Sequence, residues 1–380
     1  MKKMYWRPRR VSRTVLLLIS ILAIVGYISI GLLKTDVRQP YYEQKLAAAR
    51  VAEKAFKAIR TERLKRGLKI DVESDPAQTG MIGALMTVST TNQGSLSSKQ
   101  TSVNPNFAAV IVHLLRKAGV RPDDAVAVGY SGSFPAVNVN VLAALEVMKV
   151  KPVIVASAGA SQWGANEPEF LWLDMEKILL DQGIISDGSK AVSIGGIEDK
   201  ALGMNKRGRA ILQKSIDDSG IYQIVADDFA DSVEKRMKFY REQAGGAKIT
   251  AYINVGGGTI SVGKKVGKRL FKPGLNRRAP GPVVIDSVMA RFVDTGVPVI
   301  HLVKIVDLAD RYGLEVSPII TPAVGRGNVF VRVDFNRWLV AGLLVAILAS
   351  LYLFVRSDIG FRMLQRPKKG GDGGHPEPMV

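Results

Sequence analysis

Between residues 76 and 336 the chain repeats one pattern: a short, continuously apolar run, a polar or glycine-rich turn, then an amphipathic stretch of 12–17 residues. The apolar runs are DDAVAVG from Asp123, KPVIVASAG from Lys151, SKAVSIGG from Ser189, KITAYINVGGG from Lys248 and PVIHLVKI from Pro298. Runs without polar alternation, bounded by turn residues, predict strands buried on both faces. The stretches between them, FPAVNVNVLAALEVMKV, EPEFLWLDMEKILLDQG, NKRGRAILQKSIDDSG, residues 227–244 and GPVVIDSVMARFVDTG, carry apolar residues at helical spacing. A short helix follows from Val306. Ahead of the first strand, NPNFAAVIVHLLRKAGV has Asn104 as a cap, Pro105 at the first helical position and Gly119 past the end. This alternation predicts an α/β fold with a mostly parallel, Rossmann-like doubly wound sheet. MIGALMTVSTTNQGSLSSKQTSVNPN, from Met81, reads as a short strand and a long polar loop, and GRGNVFVRVDFNR, from Gly325, as an edge strand.

The flanks differ from this body. Residues 41–66 place Leu46, Ala49, Ala52, Phe56 and Ile59 on one helical face, predicting a helix within a juxtamembrane segment 34–75. Two uncharged apolar runs, residues 15–33 and 338–355, have the length of a ~30 Å hydrocarbon core at ~1.5 Å per residue and predict a transmembrane helix at each end of the α/β body. A cleaved signal peptide is the alternative for the first, but KTDVRQPYYEQ after it offers no small-x-small cleavage site. Residues 1–14 carry six Lys/Arg and no acid, and the tail 356–380 is basic and Gly/Pro-rich. The positive-inside bias then predicts a two-pass protein of the cytoplasmic membrane, with both termini cytoplasmic and residues 76–336 outside.

Composition narrows the chemistry. With no cysteine, disulfides, thiolate catalysis and Cys-based metal sites are excluded. The net charge is +19, of which about +11 belongs to the region between the apolar runs. Such a charge favours a polyanionic partner, and outside the cell that partner is not nucleic acid. The sequence has no H-E-x-x-H or EF-hand pattern, so neither a metal site nor a cofactor is expected.

Ligands of open α/β sheets bind beyond the carboxyl ends of the strands. The loops expected there present Ser131, Ser133, Ser157, Ser161, Gln162, Trp163, Asn166, Asp199, Asn254, Gly256, Gly257 and Thr259. Backbone N–H groups in such loops favour anions. Gly129, Tyr130, Ser131, Gly132 and Ser133 come near the G-x-S-x-G nucleophile elbow, with serine in place of the last glycine. An elbow serine needs a base, and His301 at a strand end is the histidine placed to serve, with Asp199 as its orienting carboxylate. The same turn equally serves to bind a ligand or to shape the fold. Trp163 either stacks on a ligand or fills a loop core. The basic run 263–278, with Lys264, Lys265, Lys268, Arg269 and Lys272, is either a solvated loop or the wall of a polyanion groove.

TSVNPNFAAVIVHLLRKAGV, VAVGYSGSFPAVNV and ASAGASQWGANEPEFLWLDME resemble the poly-gamma-glutamate system protein family. The resemblance covers the region between the two apolar runs. It implies a membrane-anchored accessory in poly-gamma-glutamate synthesis or export, with the polymer, the synthase and transporter membrane subunits and the lipid bilayer as partners. It implies a pathway and no reaction, and it transfers no catalytic residue. Two alternatives stand beside a polymer-binding or scaffolding accessory. One is a serine-dependent gamma-glutamyl hydrolase or transferase, and the other is a sensor of a small anionic ligand.

Overall fold

A computed structural model describes residues 13–263, 267, 270–278 and 286–356. They divide into two compact units, one comprising residues 38–332 and the other the two ends of the chain.

The larger unit is built on a seven-stranded sheet. Its strands, in chain order, are β1 (Ala125–Ser131), β2 (Lys151–Ser157), β3 (Ala191–Ser193), β4 (Tyr222–Gln223), β5 (Ile249–Val255), β6 (Gly274–Asn276) and β7 (Val299–Leu302). Their spatial order is 6-7-5-1-2-3-4. All neighbours run parallel except β6, which pairs antiparallel with β7, so the sheet is mixed. Five strands match the apolar runs. The two-residue β4 and the Gly-Leu-Asn of β6 are too short and too polar to announce themselves in sequence.

Period-two alternation sends each strand into two cores. Val126, Val128, Ile154, Ala156, Val192, Ile253 and Ile300 face one, packed by helices Tyr42–Lys65, Phe107–Ala118, Pro135–Met148, Trp172–Asp181 and Ile305–Arg311. Ala127, Val153, Val155, Tyr252 and Val299 face the other, under helices Phe229–Gln243 and Val288–Asp294. The helix expected over 41–66 is thus an integral layer: Ala48, Ala49, Ala52 and Ile59 are fully buried, and small alanines let it approach its neighbours closely. On the second face Phe292 stacks on Tyr252 with ring centroids 4.6 Å apart and leans on Tyr240 at 5.6 Å.

Two expectations are corrected here. The stretch from Met81 holds a helix, Leu96–Ser102, where only loop was expected after the strand. Ser95 caps it, accepting the Ser98 N–H, and its polar residues Lys99, Thr101 and Ser102 are buried. GRGNVFVRVDFNR does not join the main sheet: Val331–Phe335 pairs with Lys34–Arg38 in a separate two-stranded ribbon.

The larger correction concerns the ends. Among the described residues no helix is long and apolar enough to cross a membrane. This overturns the two flanking transmembrane helices and, with them, the two-pass placement in the cytoplasmic membrane. Helices do form there, at Arg13–Leu32 and Arg337–Arg356. The two pack on one another where Gly26 lies against the Leu343 side chain; a Cβ at Gly26 would come within 2.4 Å of it. The basic termini that set the expected orientation lie outside the described residues.

Phe292→Ala removes the ring shared by both tyrosines and should cost about 3–5 kcal/mol of unfolding free energy in a denaturant titration. A loss under about 1 kcal/mol would show that this face carries little of the stability.

Candidate functional site

The strand order reverses between β1 and β5, the position at which open α/β sheets form a crevice. A cavity of about 690 Å³ lies there, walled by the ends of β1, β2 and β5, the glycine turns after β3 and β5, and the helix Leu96–Ser102. Ser131, Ser133, Ser157, Ser161, Asp199, Asn254, Gly257 and Thr259 all line it, so most of the polar loop residues expected at the site converge.

Each wall has a local cause. Gly129 is required because Tyr252 comes up beside it: a Cβ there would sit 2.3 Å from the Tyr252 hydroxyl. The glycine of GYSGS is therefore a packing glycine. Ser131 Oγ accepts the Ser133 N–H at 3.3 Å, and Asn138 Nδ2 donates to the Ser131 carbonyl at 2.8 Å, closing the turn onto the next helix. Ser133 Oγ in turn accepts the Ser161 N–H at 3.1 Å, tying the turn after β1 to the loop after β2.

Three predicted ligand residues build the wall from behind. Gln162 Oε1 accepts the Gly94 N–H at 3.0 Å. Trp163 adopts a left-handed backbone at φ 55° and packs on the core, so it fills the loop. Asn166 is fully buried; its Oδ1 accepts the Ala84 N–H, and its Nδ2 donates to the Ala84 carbonyl and the Thr90 hydroxyl. Gly256, at φ 85°, accepts from Asn254 Nδ2 at 2.7 Å. Of the basic run, Lys272 is exposed, whereas Lys264, Lys265, Lys268 and Arg269 lie outside the described residues.

The expected triad does not assemble. His301 sits on β7, in register with Asn254 on β5 and, through it, with Gly129 on β1. Two strand spacings of about 4.8 Å each separate the β1 and β7 backbones. His301 Nδ1 faces Asn254 Nδ2 at 3.0 Å, and burial lowers its pKa to about 4, so the ring is neutral at pH 7. Asp199 is committed elsewhere: it pairs with Arg236 at 2.7 Å and accepts from Ser193 Oγ at 2.6 Å and Ser232 Oγ at 2.9 Å. Arg236 Nη2 also donates to Ser193 Oγ at 2.7 Å, and Ser157 Oγ meets Ser193 Oγ at 3.0 Å. Burial works against the guanidinium charge, and Asp199 more than offsets it, leaving the Arg236 pKa raised.

Lys99 and Arg236 were not anticipated. Lys99 is 2% exposed. Its Nζ donates to the Ser133 carbonyl, lies 3.0 Å from Ser161 Oγ and stands 3.9 Å over the Phe134 ring. Among the described residues no carboxylate pairs with it, and burial alone lowers its pKa to about 7. The cavity therefore holds one neutralised ion pair and one uncompensated amine. The one local sign of its helix in the sequence is Ser95, a residue type suited to capping, at the head of a largely polar run.

Among the described residues no cluster of three or more His, Asp or Glu comes together as a metal donor set. No protein-family model, curated protein or solved structure matches this chain.

Asp199→Ala strands a buried guanidinium and should cost about 3–5 kcal/mol in urea unfolding, most of it regained when Arg236 is also changed to Met. An equal loss in the double variant would contradict the ion-pair account. Acid stability tests the neutral histidines. His301 and His113 are both held at about 4 in the folded chain, against about 6.5 unfolded. The unfolded chain thus takes up protons first, and stability falls as pH drops from about 6.5 to about 4. His301→Asn should flatten that slope; an unchanged slope would mean that His301 is not the group responsible.

Proposed function

We propose that the cavity binds a segment of an anionic, amide-linked chain, and that the protein serves poly-gamma-glutamate synthesis or export as an accessory holding that polymer beside its synthase and transporter subunits. One observation carries the binding reading: Lys99 is a buried cation, when protonated, with no carboxylate partner among the described residues, lining an open polar cavity. A ligand carboxylate supplies the missing counter-charge. Beside the Asp199–Arg236 pair and a few apolar side chains, the lining offers hydroxyls, the Asn92, Gln93 and Asn254 amides and glycine backbone, which suits the amide groups of such a chain. The resemblance of GYSGSFPA and SQWGAN to the poly-gamma-glutamate system family supplies the pathway. The overall charge of +19 adds general attraction for a polyanion. The reading stands on cavity chemistry and needs no membrane placement.

Titration calorimetry with gamma-glutamyl oligomers of defined length tests it. The anion prefers protonated Lys99, so affinity should weaken as pH rises through about 7. Lys99→Met should cost about 1.5–3 kcal/mol of binding. Binding in the cavity is poorly screened and should survive ~0.5 M salt, whereas capture on the surface would not. Affinity indifferent to both pH and Lys99 would overturn the reading. Glutamate binding as tightly as its oligomers would favour a small-ligand sensor.

A further inference from the structure

We propose that Ser161 and Lys99 form a nucleophile–base pair, and that the cavity cleaves or transfers the acyl group of a gamma-glutamyl amide. The substrate class rests on the reading above; the pair rests on geometry alone.

Three features set Ser161 apart from the other serines of the cavity. Its Oγ is 3.0 Å from Lys99 Nζ, within reach for proton transfer. Its N–H is held by Ser133 Oγ, which fixes the backbone that carries it. It is 7% exposed yet lines the cavity, so its hydroxyl is sheltered from bulk water and open to a ligand. Ser131, by contrast, spends its hydroxyl on its own turn. Lys99 is equally distinct from Lys45, the other fully buried lysine described, which donates to the Val329 carbonyl and does not line the cavity.

A lysine serves as a base only as the amine. Burial brings Lys99 to a pKa of about 7, and the other charged groups that line the cavity among the described residues, Asp199 and Arg236, neutralise each other. In the amine form one N–H remains on the Ser133 carbonyl while the lone pair faces the Ser161 O–H. Lys99 takes that proton as Ser161 Oγ bonds to the amide carbonyl carbon. The carbonyl π pair moves onto oxygen and, on its return, breaks the C–N bond. The departing nitrogen takes the proton from the Lys99 ammonium and leaves as an amine, with the acyl group on Ser161 as an ester. Water then gives a proton to Lys99 and bonds to the acyl carbon. The C–Oγ bond breaks, Oγ regains the proton, and a carboxylic acid leaves. An amine in place of water remakes an amide, which is transfer.

The two uses of Lys99 have opposite pH dependence. The ammonium meets a carboxylate, whereas the amine activates Ser161. With rising pH binding therefore weakens and acylation quickens, the free chain turning near the Lys99 midpoint and the complex at a higher pH.

The test treats the full chain with a fluorophosphonate, whose P–F bond is broken by an activated serine, and maps the label by mass spectrometry. The expected result is labelling at Ser161 whose rate rises with pH to a plateau above about 7, and which Lys99→Met slows about a hundredfold or more. Circular dichroism checks that the variant folds; if it does not, the pH profile of the unaltered chain decides. Label absent from Ser161, or a rate following hydroxide concentration without a plateau, overturns the pair. The two readings fail separately. Labelling without oligomer binding removes the gamma-glutamyl substrate and keeps the pair, and oligomer binding without labelling removes the pair alone.

Discussion

The ammonium of Lys99 ties three separate segments into one wall. It is carried by the helix Leu96–Ser102, donates to the Ser133 carbonyl in the turn after β1, and reaches Ser161 Oγ in the loop after β2. The Ser133 hydroxyl accepts the Ser161 N–H and the Gly132 carbonyl accepts the Ala165 N–H, so the turn and the loop are also coupled directly. Among the described residues no carboxylate meets this amine; at 2% exposure that is unfavourable, and hydroxyl, carbonyl and ring contacts offset only part of the penalty. The remainder appears as the lowered pKa. Both roles proposed for the cavity draw on that residual instability, which leaves the amine ready either to accept a counter-ion or to give up its proton.

The opposite wall follows a different rule. Arg236 is as deeply placed as Lys99, but its charge is met by Asp199 and by a chain of serine hydroxyls, Ser232, Ser193 and Ser157. Glu198, Asp199 and Ala201 all adopt left-handed backbones in the segment that carries this carboxylate, a local strain. The same cavity thus contains one charge met by a carboxylate and one that, among the described residues, only neutral groups meet.

The strands were legible because burial on both faces leaves continuous apolar runs, as in VIVA and YINV, and the helices between them because their apolar residues recur at three and four. Convergence of Ser131, Ser133, Ser161, Asn254 and Thr259 was legible too, since the carboxyl ends of parallel strands share one edge. Partnership was not. His301 looked available to Ser131 along the chain, but the strand order inserts β5, and with it Asn254, between them. Asp199 looked like an orienting carboxylate because Arg236, thirty-seven positions on, gives no local sign of facing it. Lys99 was hidden for the converse reason: its helix is buried through polar residues, so hydropathy reads it as exposed loop. At the chain ends, apolar composition predicted helices, and helices are present, but apolar composition did not by itself secure a span.

Direct titration of Lys99 tests the central claim most closely. In protein carrying 13C-labelled lysine, the Lys99 Cε signal, assigned by its loss in Lys99→Met, should titrate with a midpoint near 7, and the midpoint should move upward when a gamma-glutamyl oligomer is added. A midpoint near the ordinary lysine value of about 10.4, unmoved by the oligomer, would contradict the account.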